Sequence, residues 1–261
     1  MPELPEVETI VRGLAPRLAG RRVLSAEFRC DRVVRGKPER IVGKTIHTVR
    51  RHGKFIIIDF ADSSPSLGVH LGMTGKLLLD GELGAHTHAI ITLDRGTLLY
   101  DDIRQFGRIE LSADFSARMQ RLGPDPLSID TDVFVSRLRG RRAMVKSLLL
   151  NQSFLRGMGN IYTDEALHRA GVHPRSLGSR MSRARAVRLH AAIREVLLES
   201  IESGGSSVSD YVDSDGRKGS FQLRHRVYGK EGEPCQVCGS AIRRILVGQR
   251  GTHFCPKCQK R

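Results

Sequence analysis

The stretch AIITLDRGTLLY, residues 89–100, contains two short apolar runs separated by the segment Asp94–Gly96. Short apolar runs bounded by Gly and Asp are typical of β-strands. Two earlier runs, Phe55–Ile58 and Leu77–Leu79, have the same character, and no helical pattern alternates with any of them. This arrangement predicts an antiparallel sandwich or barrel rather than a doubly wound parallel sheet.

A helix is predicted before the strand-rich region. Pro5 suits a first helical turn, and apolar residues recur at helical spacing from Val7 to Leu14. Pro16 and Gly20 bound the far end of this helix. The strand-rich region then extends to about residue 112.

The chain changes character at Leu122–Pro126, LGPDP, which disfavours both helix and strand and marks a linker. Helical spacing follows in residues 145–149 and 187–201, and Gly204–Ser207 closes the second helix. A polar loop continues to Gly219. The predicted limits are a β-sandwich domain at 1–112, a linker at 113–132, a helical domain at 133–225 and a cysteine-rich hairpin at 226–261.

The charge of the chain points to nucleic acid. Lys and Arg total 43 against 28 Asp and Glu, which gives a net charge of +15. Such an excess attracts phosphate without sequence preference, although it also fits a merely soluble basic surface. No basic amphipathic helix, charged leader or apolar run of about 18 residues is visible, so we expect a soluble intracellular protein without a membrane partner.

Four of the five cysteines form two pairs, Cys235–x2–Cys238 and Cys255–x2–Cys258. This spacing fits a tetrahedral structural Zn²⁺ site, and four thiolates leave no position for a reacting water. Cys30 stands apart as a structural or incidental thiol. Many proteins carry such a site, and in some of them it serves contacts with other proteins. A function in protein contacts alone would not explain the N-terminal half of the chain or its positive net charge.

The first residues of the chain allow two interpretations, one catalytic and one structural. Pro2 follows the initiator Met1, and removal of Met1 would expose a secondary amine. An α-amino group has a pKa of about 7.7–8.0 against about 10.4 for lysine, so more of it is unprotonated and nucleophilic at neutral pH. Glu3 would then serve in proton transfer. Alternatively, Pro2 and Glu3 simply begin a chain whose first helix favours acidic residues.

Seven segments in order along the chain match one known pattern. They are MPELPEVE (1–8), RHGK (51–54), HLGMTG (70–75), RQFG (104–107), LGPDPL (122–127), GMGNIY (157–162) and GTHFCPKC (251–258). Together they resemble the formamidopyrimidine-DNA glycosylase family from end to end. The resemblance implies an α+β multidomain fold: an N-terminal β-sandwich with an N-terminal helix, a helix-two-turn-helix domain and a four-cysteine zinc-finger hairpin.

The resemblance also implies an activity. Members of this family remove oxidised purines (8-oxoguanine and formamidopyrimidines) from duplex DNA and then nick the strand by β,δ-elimination. By this resemblance, Pro2 is the Schiff-base nucleophile and Glu3 the general acid and base. Lys54 serves in proton transfer during β-elimination, and Arg250 grips phosphate and assists δ-elimination.

DNA contacts are carried over in the same way. Met73, Arg104 and Phe106 resemble the family's trio that fills the space vacated by a flipped base, with Arg104 reading the orphaned cytosine. Met73 and Phe106 would otherwise be core residues, but Gly and polar neighbours flank each of them. Further DNA contacts are expected at His70, His86, Arg141 and Asn160.

Asn160 also precedes the helical run Tyr162–Arg169, where Asn is a common N-cap. A helix start is a natural phosphate site, so the two roles are compatible.

Some positions depart from the family pattern, and rival functions stay open. Ser209 stands in the expected lesion-recognition loop where Lys or Arg is usual, and Arg156 replaces a small residue. The alternatives are an endonuclease VIII-like glycosylase for oxidised pyrimidines and a non-catalytic damaged-DNA-binding protein. Leu4 and the Met73 trio favour the purine branch. We expect a bacterial cytoplasmic, nucleoid-associated monomer.

Overall fold

The computed structural model describes residues 1–62, 65–111 and 113–261. The chain forms two compact units, one of residues 1–121 with 201–222 and one of residues 122–200 with 223–261. The predicted end of the first domain, residue 112, lies outside the described residues. The other predicted domain limits stay predictions.

The first unit contains helix α1 (Leu4–Leu18) and two β-sheets. The strands are β1 (Val23–Phe28), β2 (Val34–Gly36), β3 (Ile46–His52), β4 (Phe55–Phe60), β5 (Leu67–His70), β6 (Lys76–Leu79), β7 (Thr87–Leu93), β8 (Thr97–Asp101) and β9 (Arg108–Leu111). The four apolar runs predicted as strands lie in β4, β6, β7 and β8. Helix α2 (Ala113–Gln120) follows β9, inside the segment predicted as a linker.

The two sheets share one apolar core. One has the strand order β1-β7-β8-β6 and the other β2-β9-β5-β4-β3. Buried residues of both sheets and of α1 belong to the same cluster, among them Leu14, Ile58, Val69 and Ile91. All neighbours are antiparallel except β2 and β9, which pair in parallel over three residues. The predicted sandwich is confirmed, with this short parallel pair as an exception to the antiparallel pattern.

The two faces of β4 are covered by different elements. Ile56 and Ile58 belong to the core cluster that α1 shares, whereas Ile57 on the opposite face lines a cavity with Phe115 and Met119 of α2. Helix α1 continues through Pro16 and ends at Leu18, between Pro16 and Gly20, which were predicted to bound its far end. Proline in the last turn removes only one backbone donor, so the helix can continue through it. Arg17 Nε donates to Gly13 O at 2.7 Å in the same turn.

The second unit is mostly helical. Its helices are α3 (Thr131–Arg139), α4 (Val145–Leu150), α5 (Asn160–Arg169) and α6 (Arg183–Glu202), of which residues up to 200 belong to this unit. Strands β10 (Arg243–Val247) and β11 (Arg250–Phe254) form an antiparallel hairpin. Short 3-10 helices lie at Pro38–Ile41 in the first unit, at Gly178–Arg180 in the second unit, and at Phe221–Arg224. None of the helices in the described part of the chain is both apolar and long enough to span a bilayer.

Candidate functional site

The N-terminal segment is buried where it enters α1. Pro2 is buried and Glu3 is only 3% exposed, whereas Met1 is about half exposed. Glu3 occupies the N-cap position of α1, and its backbone N–H donates to Glu6 Oε2 at 2.7 Å. The Glu6 carboxylate therefore fixes the backbone next to Pro2, as the acidic residue of a capping box does.

Glu6 also holds a distant loop in the first unit. Its Oε1 accepts from the backbone N–H of Ser206 at 2.8 Å, and its carbonyl accepts from the Tyr211 hydroxyl at 3.3 Å. A Cβ on Gly205 would lie 2.9 Å from Tyr211 and 3.1 Å from Glu6 Oε1, and its φ is +83°, so only glycine fits there. One buried carboxylate thus connects the N-terminus to the segment predicted to inspect the lesion.

The base of that loop is hydrogen-bonded and its tip is open. Ser207 Oγ donates to Tyr211 O at 2.8 Å and accepts from the N–H of Gly219 at 2.9 Å. Residues 208–210 between these anchors are exposed, Ser209 among them. The exposed tip can contact a ligand while its two ends stay fixed.

Lys54 and His70 lie on neighbouring strands. Lys54 is 8% exposed and precedes β4, where Phe55 is the register partner of His70 on β5. Burial, and then the positive charges of Lys54 and Arg108, lower the pKa of His70 to about 4. His70 Nδ1 accepts from the N–H of Gly72 at 3.1 Å. The neutral ring therefore carries its proton on Nε2, which is the nitrogen that can donate.

Met73, Arg104 and Phe106 are surface residues on two loops of the first unit. Met73 is 40% exposed and Phe106 is 56% exposed, so neither belongs to the core. The Arg104 guanidinium lies 4.6 Å from the centre of the Phe106 ring. Apolar side chains held at the surface in this way are suited to insertion between bases.

A buried carboxylate that the sequence analysis missed joins these two loops. Asp102 is fully buried; its Oδ1 accepts from Thr74 Oγ1 at 2.5 Å and its Oδ2 from the N–H of Gly107 at 2.7 Å. Thr74 Oγ1 in turn accepts from the N–H of Arg104 at 3.1 Å. The signal available in the sequence was an Asp directly after an apolar strand, but nothing there identified its partners.

Close backbone packing explains the glycines of both motifs. A Cβ on Gly107 would lie 1.7 Å from the Tyr100 hydroxyl and 2.6 Å from His70 O. A Cβ on Gly72 would lie 2.5 Å from the backbone nitrogen of Gly107. Any larger residue would separate the loops. His86 joins the same region through its carbonyl, which accepts from the N–H of Asp102 at 3.0 Å, while its side chain is exposed.

Asn160 lies in the second unit beside a buried ion pair. Its Nδ2 donates to Gly251 O at 3.0 Å, and Gly159 rather than Asn160 is the N-cap of α5. Lys146 Nζ donates to the same carbonyl at 3.2 Å and to Asp164 Oδ1 at 2.6 Å, and neither side chain of that pair is exposed. These donors fix the start of β11, one residue after Arg250.

Arg250 and Arg141 are both exposed in the second unit. Arg250 follows the hairpin turn at Gly248 and Gln249, which have φ angles of 55° and 62°. Two positive φ values are characteristic of the tight type I′ hairpin turn. Arg141 follows α3, and its carbonyl accepts from the N–H of Ser179 at 2.9 Å.

The four clustered cysteines fit one tetrahedral metal ion. The Sγ atoms of Cys235, Cys238, Cys255 and Cys258 all lie within 4.8 Å of one another. The Sγ atoms of Cys235 and Cys258 lie 3.9 Å apart, and those of Cys238 and Cys255 lie 3.4 Å apart. Both distances are close to the sulfur–sulfur separation of about 3.8 Å expected for a tetrahedron with Zn–S bonds of about 2.3 Å. Hydrogen bonds from Ser240 lower the pKa of the Cys238 thiol to about 6, whereas burial raises the pKa of the Cys255 and Cys258 thiols.

Arg156, which the sequence left unexplained, contacts the LGPDP segment. Its Nη1 donates to Gly123 O at 3.2 Å, and its Nε lies 3.6 Å from Asp125 Oδ2. Asp125 Oδ1 accepts from the N–H of Leu127 at 3.0 Å. The N–H of Arg156 also donates to Pro124 O at 3.1 Å, so Arg156 holds this turn through both its backbone and its side chain.

Three segments of the chain match known families. Residues 1–109 match the formamidopyrimidine-DNA glycosylase N-terminal domain, residues 122–212 the formamidopyrimidine-DNA glycosylase H2TH domain, and residues 232–261 the zinc finger found in FPG and IleRS. The chain is 57% identical over 266 residues to the formamidopyrimidine-DNA glycosylase of Solibacter usitatus, with 100% of both chains covered.

Solved structures agree with these matches. A Lactococcus lactis FPG mutant in complex with DNA that contains Fapy-dG is 37% identical, with a TM-score of 0.90 and 100% of both chains covered. A structure of MutM in complex with DNA that contains carbocyclic 8-oxo-G is also 37% identical, with a TM-score of 0.89 and the same coverage. The chain is similar to both over its whole length.

Proposed function

The chain belongs to the formamidopyrimidine-DNA glycosylase family, and we propose on this basis that it is a bifunctional DNA glycosylase and AP lyase. It removes oxidised purines, 8-oxoguanine and formamidopyrimidines, from duplex DNA in base excision repair. The observation that carries the proposal is the match of all three family segments along one chain, with a basic charge of +15 that suits DNA.

The covalent step is assigned to Pro2. Once Met1 is removed, the secondary amine attacks C1′ of the damaged nucleotide, the oxidised base leaves, and the sugar ring opens to an iminium. Glu3 acts first as a general acid, which protonates the opening sugar, and then as a general base, which accepts a proton. The buried capping contact between Glu6 and the N–H of Glu3 supports this assignment, because it fixes the backbone beside the nucleophile.

Strand scission follows by elimination from the iminium. Lys54 is assigned the proton transfer in β-elimination, in which C2′ loses a proton and the 3′ phosphate leaves. Arg250 is assigned to the second, 5′ phosphate in δ-elimination, where a guanidinium stabilises the departing charge. Hydrolysis of the iminium then frees Pro2.

Extraction of the base is assigned to Met73, Arg104 and Phe106. Flipping costs a few kcal/mol of stacking, which side chains inserted into the vacated space offset. Arg104 stacks on Phe106 and is assigned to the orphaned cytosine. The phosphate contacts are assigned to His70, His86, Arg141 and Asn160; the neutral His70 serves as an Nε2–H donor rather than as a cation.

The cysteine cluster binds one structural zinc ion, which holds the hairpin that carries Arg250. Cys235, Cys238, Cys255 and Cys258 are the ligands, and a site filled by four thiolates stabilises the fold. We further propose that the enzyme is a monomer that works in the bacterial cytoplasm on nucleoid DNA.

Strand incision on defined duplexes tests the proposed function. The substrates are end-labelled duplexes with 8-oxoguanine, a formamidopyrimidine, thymine glycol or no lesion, each opposite its normal partner. We expect incision of the two oxidised-purine duplexes, with Glu3→Gln defective and an exposed Glu82→Gln variant unaffected. Preference for thymine glycol would move the chain to the endonuclease VIII-like branch, and binding without incision would identify a scaffold protein.

A further inference from the structure

The second unit contains a cavity of about 560 Å³ whose charged lining residues are all arginines: Arg175, Arg180, Arg185 and Arg261. We propose that this cavity binds a phosphorylated nucleotide of a DNA strand, as a nucleic-acid site additional to the contacts assigned above. The residues that line this cavity include none of those assigned to the lesion, the sugar or the phosphates by resemblance to the family. The proposal does not depend on the glycosylase chemistry.

The arginines lack acidic partners. Within the described part of the chain, no Asp or Glu side chain lines the cavity, and no ion pair joins an acidic side chain to any of the four arginines. Arg183, close by in sequence, does pair with Asp132 at 2.7 Å. Because guanidinium groups stay protonated at physiological pH, their mutual repulsion favours the binding of an anion.

Two of the guanidinium groups are already oriented. Arg185 Nη2 donates to Lys260 O at 2.7 Å, and Arg175 Nη2 donates to Leu246 O at 3.2 Å. Each guanidinium has five N–H donors in a rigid plane, so donors remain for a phosphate after these contacts. The contacts reduce the conformational entropy lost on binding.

Backbone hydrogen bonds connect the wall of the cavity to the loop that carries Arg141. The N–H of Val145 donates to Ser176 O at 2.8 Å, and the N–H of Gly178 donates to Ala143 O at 3.0 Å. A Cβ on Gly178 would lie 2.4 Å from Leu138 O, so only glycine permits this approach. The loop that carries the expected DNA contact Arg141 is therefore bonded to the segment between Arg175 and Arg180.

The apolar part of the lining indicates a nucleotide rather than a bare phosphate. Met144, Leu177 and Met181 face the same cavity as the arginines. Apolar contacts suit a sugar or an unstacked base, and a volume of this size is typical of small-ligand sites. Arginines beside apolar surface can hold the phosphates and support the base together.

The experiment uses methionine methyl groups as local reporters. The full-length, zinc-loaded protein is labelled with ¹³C at the methionine methyls and titrated with the 5′-phosphorylated trinucleotide pTpTpT. We expect the Met144 and Met181 signals to shift and saturate while Met158, buried elsewhere in this unit, stays in place. Shifts confined to Met73 would overturn the proposal, because they would place the strand at the lesion loops.

Matched variants test the role of the arginines. Arg175→Gln/Arg180→Gln should weaken pTpTpT binding at least tenfold, whereas Arg183→Gln, exposed and outside the cavity, should change it less than twofold. The slope of the logarithm of the binding constant against the logarithm of the salt concentration should become shallower by about 1.4 in the double variant. Each phosphate contact to a single strand contributes about 0.7 to this slope, and two contacts are lost. Equal binding by wild type and double variant would overturn the proposal.

Two controls complete the design. Titration with dTMP distinguishes a strand from a free nucleotide, and equal affinity for dTMP and pTpTpT would overturn the assignment to a strand. Unfolding midpoints and zinc content show that the variants fold. Incision of an 8-oxoguanine duplex is measured separately, so loss of that activity in wild type would count against the proposed function and not against the cavity.

Discussion

Thr74 Oγ1 donates a 2.5 Å hydrogen bond to Asp102 Oδ1, which links the loop of Met73 to the loop of Arg104 and Phe106. Because the Thr74 hydroxyl also accepts from the N–H of Arg104, one side chain spans both loops. The buried carboxylate completes the link through Gly107. The residues assigned to base extraction therefore sit on two loops that are bonded to each other.

Replacing Asp102 with Asn should uncouple these loops. The amide would turn N–H groups toward the N–H of Gly107 or the hydroxyl of Thr74, and an unpaired buried donor costs about 1–3 kcal/mol. We expect excision of 8-oxoguanine to slow about tenfold, equivalent to about 1.4 kcal/mol, with less effect on nicking of a preformed abasic site. Asp94→Asn, at an exposed turn, is the control. Equal slowing of both steps would contradict a role in base extraction.

Breaking the Lys146–Asp164 pair should destabilise the second unit. Lys146→Met leaves a fully buried carboxylate without its cation, which costs about 3–5 kcal/mol. Lys146→Met/Asp164→Leu should recover part of this loss, but not all, because Asp164 Oδ2 also accepts from the N–H of His253 at 2.8 Å. Urea unfolding measures both. A double variant no more stable than the single one would show that the charge imbalance is not the cause.

Loss of one zinc ligand should weaken DNA binding by disordering the hairpin. Cys255→Ser removes a buried thiolate, and we expect release of zinc together with loss of affinity for duplex DNA. Zinc content and fluorescence anisotropy measure the two effects. Cys30→Ser, which lies outside the cluster, should change neither. Unchanged DNA affinity in the zinc-free variant would show that the hairpin takes no part in binding.

Acid should destabilise the protein through His70. Its folded pKa of about 4 lies below the unfolded value of about 6.5, so the unfolded state takes up a proton first as the pH falls. The contribution of neutral His70 to the free energy of unfolding is complete above about pH 6.5 and is lost as the pH falls toward 4. At pH 5 the loss is on the order of 1–2 kcal/mol. The difference in unfolding free energy between wild type and His70→Gln should therefore change between pH 7 and pH 5. A constant difference would contradict a depressed pKa.

Local patterns in the sequence predicted the strands and the zinc cluster, whereas the surface position of Met73 and Phe106 was implied by the resemblance to the family. The long-range contacts of Glu6, Asp102 and Lys146 could not be predicted, because the partners in these contacts lie far away in the chain and no local pattern identifies them. Asn160 illustrates a different limit. Its sequence position suited an N-cap, but Gly159 takes that position and the Asn160 amide donates to Gly251 O.

Borohydride trapping on a duplex with one 8-oxoguanine opposite cytosine, followed by peptide mapping of the adduct, shows whether Pro2 is the nucleophile. Pro2→Gly and a form that retains Met1 are the controls, since an amide nitrogen at Pro2 cannot form an iminium. We expect a covalent adduct on Pro2 in the processed protein and none in the form that retains Met1. An adduct on a lysine instead, or no adduct while the duplex still binds, would contradict it.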